Sequence, residues 1–77
     1  MKAIRVTYDP KVNAAYLYLT DPKESRRVTR MYACDPIEAR GMINMDFDEN
    51  DHLIGVEVLA ANSMLSEYIL ESAEILE

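Results

Sequence analysis

The residues of this chain with the plainest capacity for chemistry lie in "DFDENDHLIGVE", positions 46 to 57. There Asp46, Asp48, Asn50 and Glu57 follow the ligand order of a helix-flanked calcium loop. Such a loop needs glycine at its sixth position to bend around the ion, and Asp51 stands there instead. The flanks argue further against a metal. "MINMDF" (42–47) and "LIGVEVL" (53–59) both alternate in polarity, so they read as two strands joined by a turn. An even loop, Asp48 to Asp51, pairs Met45 with Ile54 and Ile43 with Val56, apolar against apolar, whereas an odd loop sets Ile43 against Glu57. In the even register Asp46 faces Leu53 and Glu57 lies four residues on, about 13 Å away, which no single ion spans. The stretch is expected to be a hairpin turn with Asp51 in left-handed backbone and no bound metal. Weak cation binding by Asp46, Asp48 and Asp51 is the alternative.

Three other constellations could do chemistry. Cys34 and His52 are the one thiol and the one imidazole, and Asp35 follows the cysteine. A nucleophilic cysteine needs an electropositive setting, and this one stands among acids, so neither catalysis nor a cofactor is expected. Nor can one cysteine and one histidine make a structural zinc site or an internal disulfide. Tyr16 and Tyr18 share a strand face with Arg5 and Thr7, and Arg26, Arg27 and Arg30 could lie near them. Rings beside guanidinium groups suit either self-association, expected here as a homodimer, or a small nucleic-acid-binding platform. Finally Glu67, Glu71 and Glu74 recur near the C-terminus with no lysine or arginine among them, either as a solvated face or as an acidic stripe for a basic partner protein.

The elements that must position these residues follow from periodicity. "AIRVTY" (3–8) and "AAYLYL" (14–19) alternate and flank "DPKVN", which suits a four-residue loop with Asn13 left-handed. That hairpin pairs Val6 with Leu17, Ile4 with Leu19 and Arg5 with Tyr18. "RRVTRMYAC" (26–34) alternates more weakly and is expected as a third strand. Ile37, in the link after it, is expected to tuck against the core. "NSMLSEYILESAEILE" (62–77) changes to a 3.6 period, with Leu65, Tyr68, Ile69, Ser72, Ala73 and Leu76 on one stripe and Ser63 or Ser66 as cap. The sequence thus predicts one α+β domain over 1–77. Its mostly antiparallel sheet has four or five strands in two hairpins, and one C-terminal helix packs on the face of Ile4, Val6, Leu17, Leu19, Ile43, Met45, Ile54, Val56 and Val58.

Composition bounds the function. The chain has 77 residues, 49% of them hydrophobic, and no apolar run approaches the roughly 20 residues that a membrane helix needs. "MKAIRVTYDP" has no apolar signal core, so a cytoplasmic location and no membrane partner are expected. The net charge of −6 opposes phosphate binding by the molecule as a whole. Charge is also unevenly spread: seven bases meet three acids up to residue 30, and beyond it eleven acids meet only Arg40.

Two stretches carry a resemblance. "YDPKVNAAYLYL" (8–19) is similar to a Tyr-Asp turn followed by Ala-x-Tyr-aliphatic, and "DFDENDHLIGVEVLAANS" (46–63) to an acidic turn followed by Gly-aliphatic-Glu-aliphatic-Leu. As a pair they resemble the small prokaryotic family known as domain of unknown function 2283. Asp51 departs from the glycine usual there, and Tyr32 to Arg40 is longer than the usual connection. The resemblance implies no assigned activity and no site residues. It does imply that some relatives are encoded beside toxin-like proteins. The expectation is a non-catalytic protein-interaction module, antitoxin-like, binding a basic protein, with nucleic-acid binding as the alternative.

Overall fold

The computed structural model describes residues 4–34 and 41–77. The expected tuck of Ile37 lies outside the described residues. Strands β1 (Arg5–Asp9) and β2 (Ala14–Tyr18) form the first hairpin, followed by β3 (Arg30–Cys34), β4 (Met42–Phe47) and β5 (Leu53–Leu59). Then come two short helices, α1 (Ala61–Met64) and α2 (Glu67–Ser72), and a two-residue strand, β6 (Glu74–Ile75). The six strands make one sheet in the order β3-β4-β5-β2-β1-β6, antiparallel throughout except for the parallel pair β1 and β6. The fold is α+β and mostly antiparallel, with six strands among the described residues rather than four or five.

The first hairpin has the register its turn chemistry dictates. Val6 lies opposite Leu17 and Arg5 opposite Tyr18. Asp9 Oδ1 accepts the Lys11 amide at 3.0 Å, and Asn13 takes the left-handed conformation at φ 55. Asn13 also ties the turn to α1: its carbonyl accepts Ala61 N at 3.0 Å, and its Oδ1 accepts Asn62 N at 3.0 Å and Tyr8 Oη at 3.1 Å. Ile4, expected in the core, is 60% exposed. It precedes β1, where the described sheet gives it no cover.

The second hairpin corrects the expected register by two residues. Asp48 N donates to the His52 carbonyl at 3.0 Å and Asp51 N to the Asp48 carbonyl at 3.1 Å, so the loop is the odd one, residues 49–51. Phe47 then meets Leu53, but Asp46 meets Gly55, because Ile54 is an extra residue in a bulge. The odd loop slips the pairing by one residue and the bulge slips it by one more. Parity is therefore kept, and Ile43 faces Val58 while Met45 faces Val56. Alternation alone fixes which face is buried, and a two-residue slide leaves that unchanged.

The C-terminus departs furthest from expectation. In place of one helix, Leu65 is extended between α1 and α2, Ser66 caps α2 by accepting Ile69 N at 3.4 Å, and Ala73 is extended again. Glu74 and Ile75 then pair with Thr7 and Tyr8, and Leu76 N donates to the Tyr8 carbonyl at 2.9 Å. An unpaired β1 edge offers backbone partners that so short a helix cannot match. The core lies on the face of Ala15, Val58 and Ala61, with Tyr8, Leu17, Val56, Met64, Leu65 and Leu70 packed around them.

Candidate functional site

The opposite sheet face is built from β1 residues Arg5 and Thr7, β2 residues Tyr16 and Tyr18, β5 residues Gly55 and Glu57, and β4 residues Asn44 and Asp46, as the strand registers require. Tyr16 leans diagonally from its partner Glu57 across Gly55, and its hydroxyl donates to Asp46 Oδ2 at 2.5 Å. Only glycine leaves room for that ring: a Cβ at position 55 would lie 2.5 Å from Tyr16 Cζ. Burial, then the hydrogen bond and charge of Asp46, raise the Tyr16 hydroxyl well above the ordinary tyrosine pKa. Tyr16 and Tyr18 meet with tilted rings 4.8 Å between centroids, and Arg5 lies 4.8 Å over the Tyr18 ring. Arg5 in turn donates to Glu74 through Nε at 3.0 Å and Nη2 at 3.3 Å. The result is a continuous polar and aromatic ladder across the sheet, Glu74 to Arg5 to Tyr18 to Tyr16 to Asp46.

That ladder satisfies itself. Both Arg5–Glu74 partners are about half exposed, so solvent screening leaves the pair little effect on stability, but it occupies the guanidinium. Beside it Asn44 Nδ2 donates to Glu57 Oε1 at 3.0 Å, and the buried Asn44 Oδ1 has no hydrogen-bond partner among the described residues. Of the three arginines expected near this face, Arg30 stands on the other one, opposite Phe47. Arg30 lies 4.4 Å over the Phe47 ring and reaches Asp51 at 3.0 Å, while Arg26 binds Glu24 at 2.6 Å and Asp48 at 2.9 Å. With Asp46, Glu57 and Glu74 among the Tyr16 and Tyr18 rings, the local charge opposes a phosphate backbone.

The acidic loop is closed by its own hydrogen bonds. Asp48 is 6% exposed, and its Oδ1 accepts Asn50 N at 2.9 Å and His52 N at 3.0 Å while Oδ2 takes Arg26. The His52 amide first, then Asn50 and Arg26, hold the Asp48 carboxyl below its ordinary pKa against the opposing effect of burial. The register correction also shortens the Asp46 to Glu57 separation. Glu57 is two residues from Asp46's partner Gly55, roughly 7 Å rather than 13. Each of the two has its own donor, Tyr16 and Asn44. Among the described residues no three His, Cys, Asp or Glu side chains converge as a metal ion requires.

The structure does not bring Cys34 to His52. Cys34 is opposite Ile43 at one end of β4, while His52 precedes Leu53, which faces Phe47 at the other. Of the three glutamates expected on one helix face, Glu67 and Glu71 are on α2 and Glu74 is on β6, bound to Arg5. Tyr68, expected on the apolar stripe, is 76% exposed beside Glu67 and Glu71.

Residues 5–62 match the model of a family described as protein of unknown function (DUF2283), a span from β1 to the second residue of α1. The chain belongs to that family. The DUF2283 match covers both hairpins, the Tyr16–Gly55–Asp46 crossing and the Asn13 clamp, and it stops before α2 and β6. No curated protein and no solved structure matches the chain. No helix among the described residues is long and apolar enough to cross a membrane. Sequence reasoning missed the Tyr16–Asp46 bond, and the signal that could have found it was Gly55, a lone glycine inside a strand pattern.

Proposed function

We propose that this DUF2283 protein is a non-catalytic protein-interaction module, antitoxin-like in holding a basic partner protein, and that α2 is the surface it uses. The observation that carries this reading is the exposed group Glu67, Tyr68 and Glu71. Glu67 and Glu71 are four residues apart on a helix, where like charges repel by a few tenths of a kcal/mol. No lysine or arginine follows Arg40 in the sequence, and neither glutamate has an ion pair among the described residues. An arginine or lysine from outside relieves that repulsion and stacks on Tyr68, an arrangement common at the centres of interfaces. The −6 net charge steers such a partner in, and salt screens the attraction over about 10 Å at 0.1 M.

The test is recovery from native lysate by wild-type protein, by Tyr68→Ala, and by Glu67→Lys combined with Glu71→Lys, each with and without nuclease. A basic protein retained by the wild type, lost with both variants and weakened by salt is the expected result. Recovery that nuclease abolishes and the α2 variants leave intact would instead favour nucleic acid at Arg5, Tyr16 and Tyr18.

A further inference from the structure

The sheet has two ends, and they differ in kind. β6 is two residues long, whereas β3 is five, and among the described residues no strand pairs with its outer edge. A free edge of that length exposes a row of unpaired backbone groups, which proteins usually guard with charge, proline or a bulge. Within β3 only Arg30 is charged, and it turns to Asp51. Instead the edge carries apolar surface on both faces: Met31 at 58% exposed belongs to the face of Asp46, and Tyr32 at 55% to the face of Met45. A partner lying flat on either face would cover one of them. A strand added at the edge covers both.

The total area of the chain, which singles out no face, leaves room for a partner. The chain exposes 5881 Å², whereas a folded monomer of its mass exposes roughly 4,800 Å². The surplus, about 1,100 Å², is of the order that one partner buries in a standard interface, roughly 800 Å².

We propose that β3 pairs antiparallel with β3 of a second copy about a two-fold axis at Tyr32, joining two sheets edge to edge. This register is the one that pairs all five β3 residues. It sets Tyr32 against its counterpart, Met31 against Ala33 and Arg30 against Cys34, large beside small on each face. The two copies of Arg30 stand four residues apart across the axis, roughly 13 Å, so no like charges oppose one another. The dimer site lies on the Met31 and Tyr32 edge and not on the Tyr16 and Tyr18 face, where Arg5 is joined to Glu74 and Tyr16 to Asp46 within one chain. It is independent of the α2 surface.

Sedimentation of the full chain over a hundredfold concentration range tests this. The wild type is expected to run at twice the chain mass, and Met31→Lys and Tyr32→Lys, one on each face, at the chain mass with unchanged far-ultraviolet circular dichroism. Both side chains are more than half exposed in the single chain, so folding does not depend on them. Tyr32→Cys combined with Cys34→Ser is expected to form an interchain disulfide on mild oxidation, since directly paired antiparallel residues meet disulfide geometry. A monomeric wild type overturns the proposal. So does a dimer that survives both lysine substitutions, or one lost on Tyr18→Lys and kept in Tyr32→Lys. Failure of Tyr32→Cys to cross-link overturns the register.

Discussion

Substituting Gly55 by alanine tests whether the Tyr16 ring, and not the strand backbone, is what requires glycine there. The new Cβ would meet Tyr16 Oη and lie 2.5 Å from Cζ and 2.7 Å from Cε1, where carbon atoms at rest stand about 3.5–4.0 Å apart. The ring must therefore move by roughly an ångström. Its hydroxyl is fixed on Asp46, so that movement breaks a hydrogen bond to a carboxylate that is only 9% exposed. Bonds of that type contribute about 1.5–3 kcal/mol, and the abandoned carboxylate keeps its desolvation cost. Gly55→Ala should thus lower stability by about 1.5–3 kcal/mol, or roughly 6–24 °C in Tm for a domain of this size. With Tyr16→Ala already present the same change should be neutral, or stabilise by up to about 1 kcal/mol, since alanine orders more readily than glycine in a strand. Urea denaturation of the four proteins in this cycle measures the coupling directly. An equal cost of Gly55→Ala in both backgrounds would refute the ring as its cause.

Three further outcomes follow from the geometry. Gly41→Ala should destabilise as well, but without rescue by Met64→Ala, because the added Cβ meets the Leu59 backbone carbonyl as well as Met64 Cγ; a rescued Tm would contradict this. Ala60 sits at φ 55 and ψ 47, a left-handed conformation that costs a residue with a Cβ about 1 kcal/mol, so Ala60→Gly should raise Tm by a few degrees in thermal denaturation. Asp48 is held below its ordinary pKa, so the stability it contributes is complete above about pH 4 and is lost as pH falls through its lower folded value. Thermal denaturation from pH 7 downward should show that acid-side loss in the wild type. In Asp48→Asn the loss should be shallower, with lower stability at pH 7, and an unchanged acid slope would be the contrary result.

The sequence was legible where local chemistry is sufficient. Asp9-Pro10 and Asn13 define a turn, and the turn fixes the pairing of Val6 with Leu17 without help from elsewhere. The second hairpin was legible in parity only. Asp51 takes the left-handed position its place suggests, at φ 61, but the loop is one residue shorter than the pattern implied and Ile54 restores the alternation through a bulge. Two one-residue slips are invisible to a pattern of period two. At the C-terminus the 3.6 period from Leu65 to Leu76 favours a helix, and nothing local competes with it except Ser66. What ends the helix is the free edge of β1, a tertiary partner that no window of sequence contains. Glu74 was accordingly misplaced, and with it the acidic stripe, while Tyr68 moved from expected core to surface. The ladder from Glu74 to Asp46 joins four strands, so it became readable only once the order β4-β5-β2-β1-β6 was known.

The proposed contact between α2 and a basic partner can be read residue by residue. Titrating the isotopically labelled chain with the basic protein fraction of native lysate, while following its backbone amides by nuclear magnetic resonance, tests it most directly. Movement concentrated at residues 67–72 and reduced by added salt is the result this account requires. Movement centred on Arg5, Tyr16 and Tyr18 with residues 67–72 unchanged, or no movement anywhere, would contradict it.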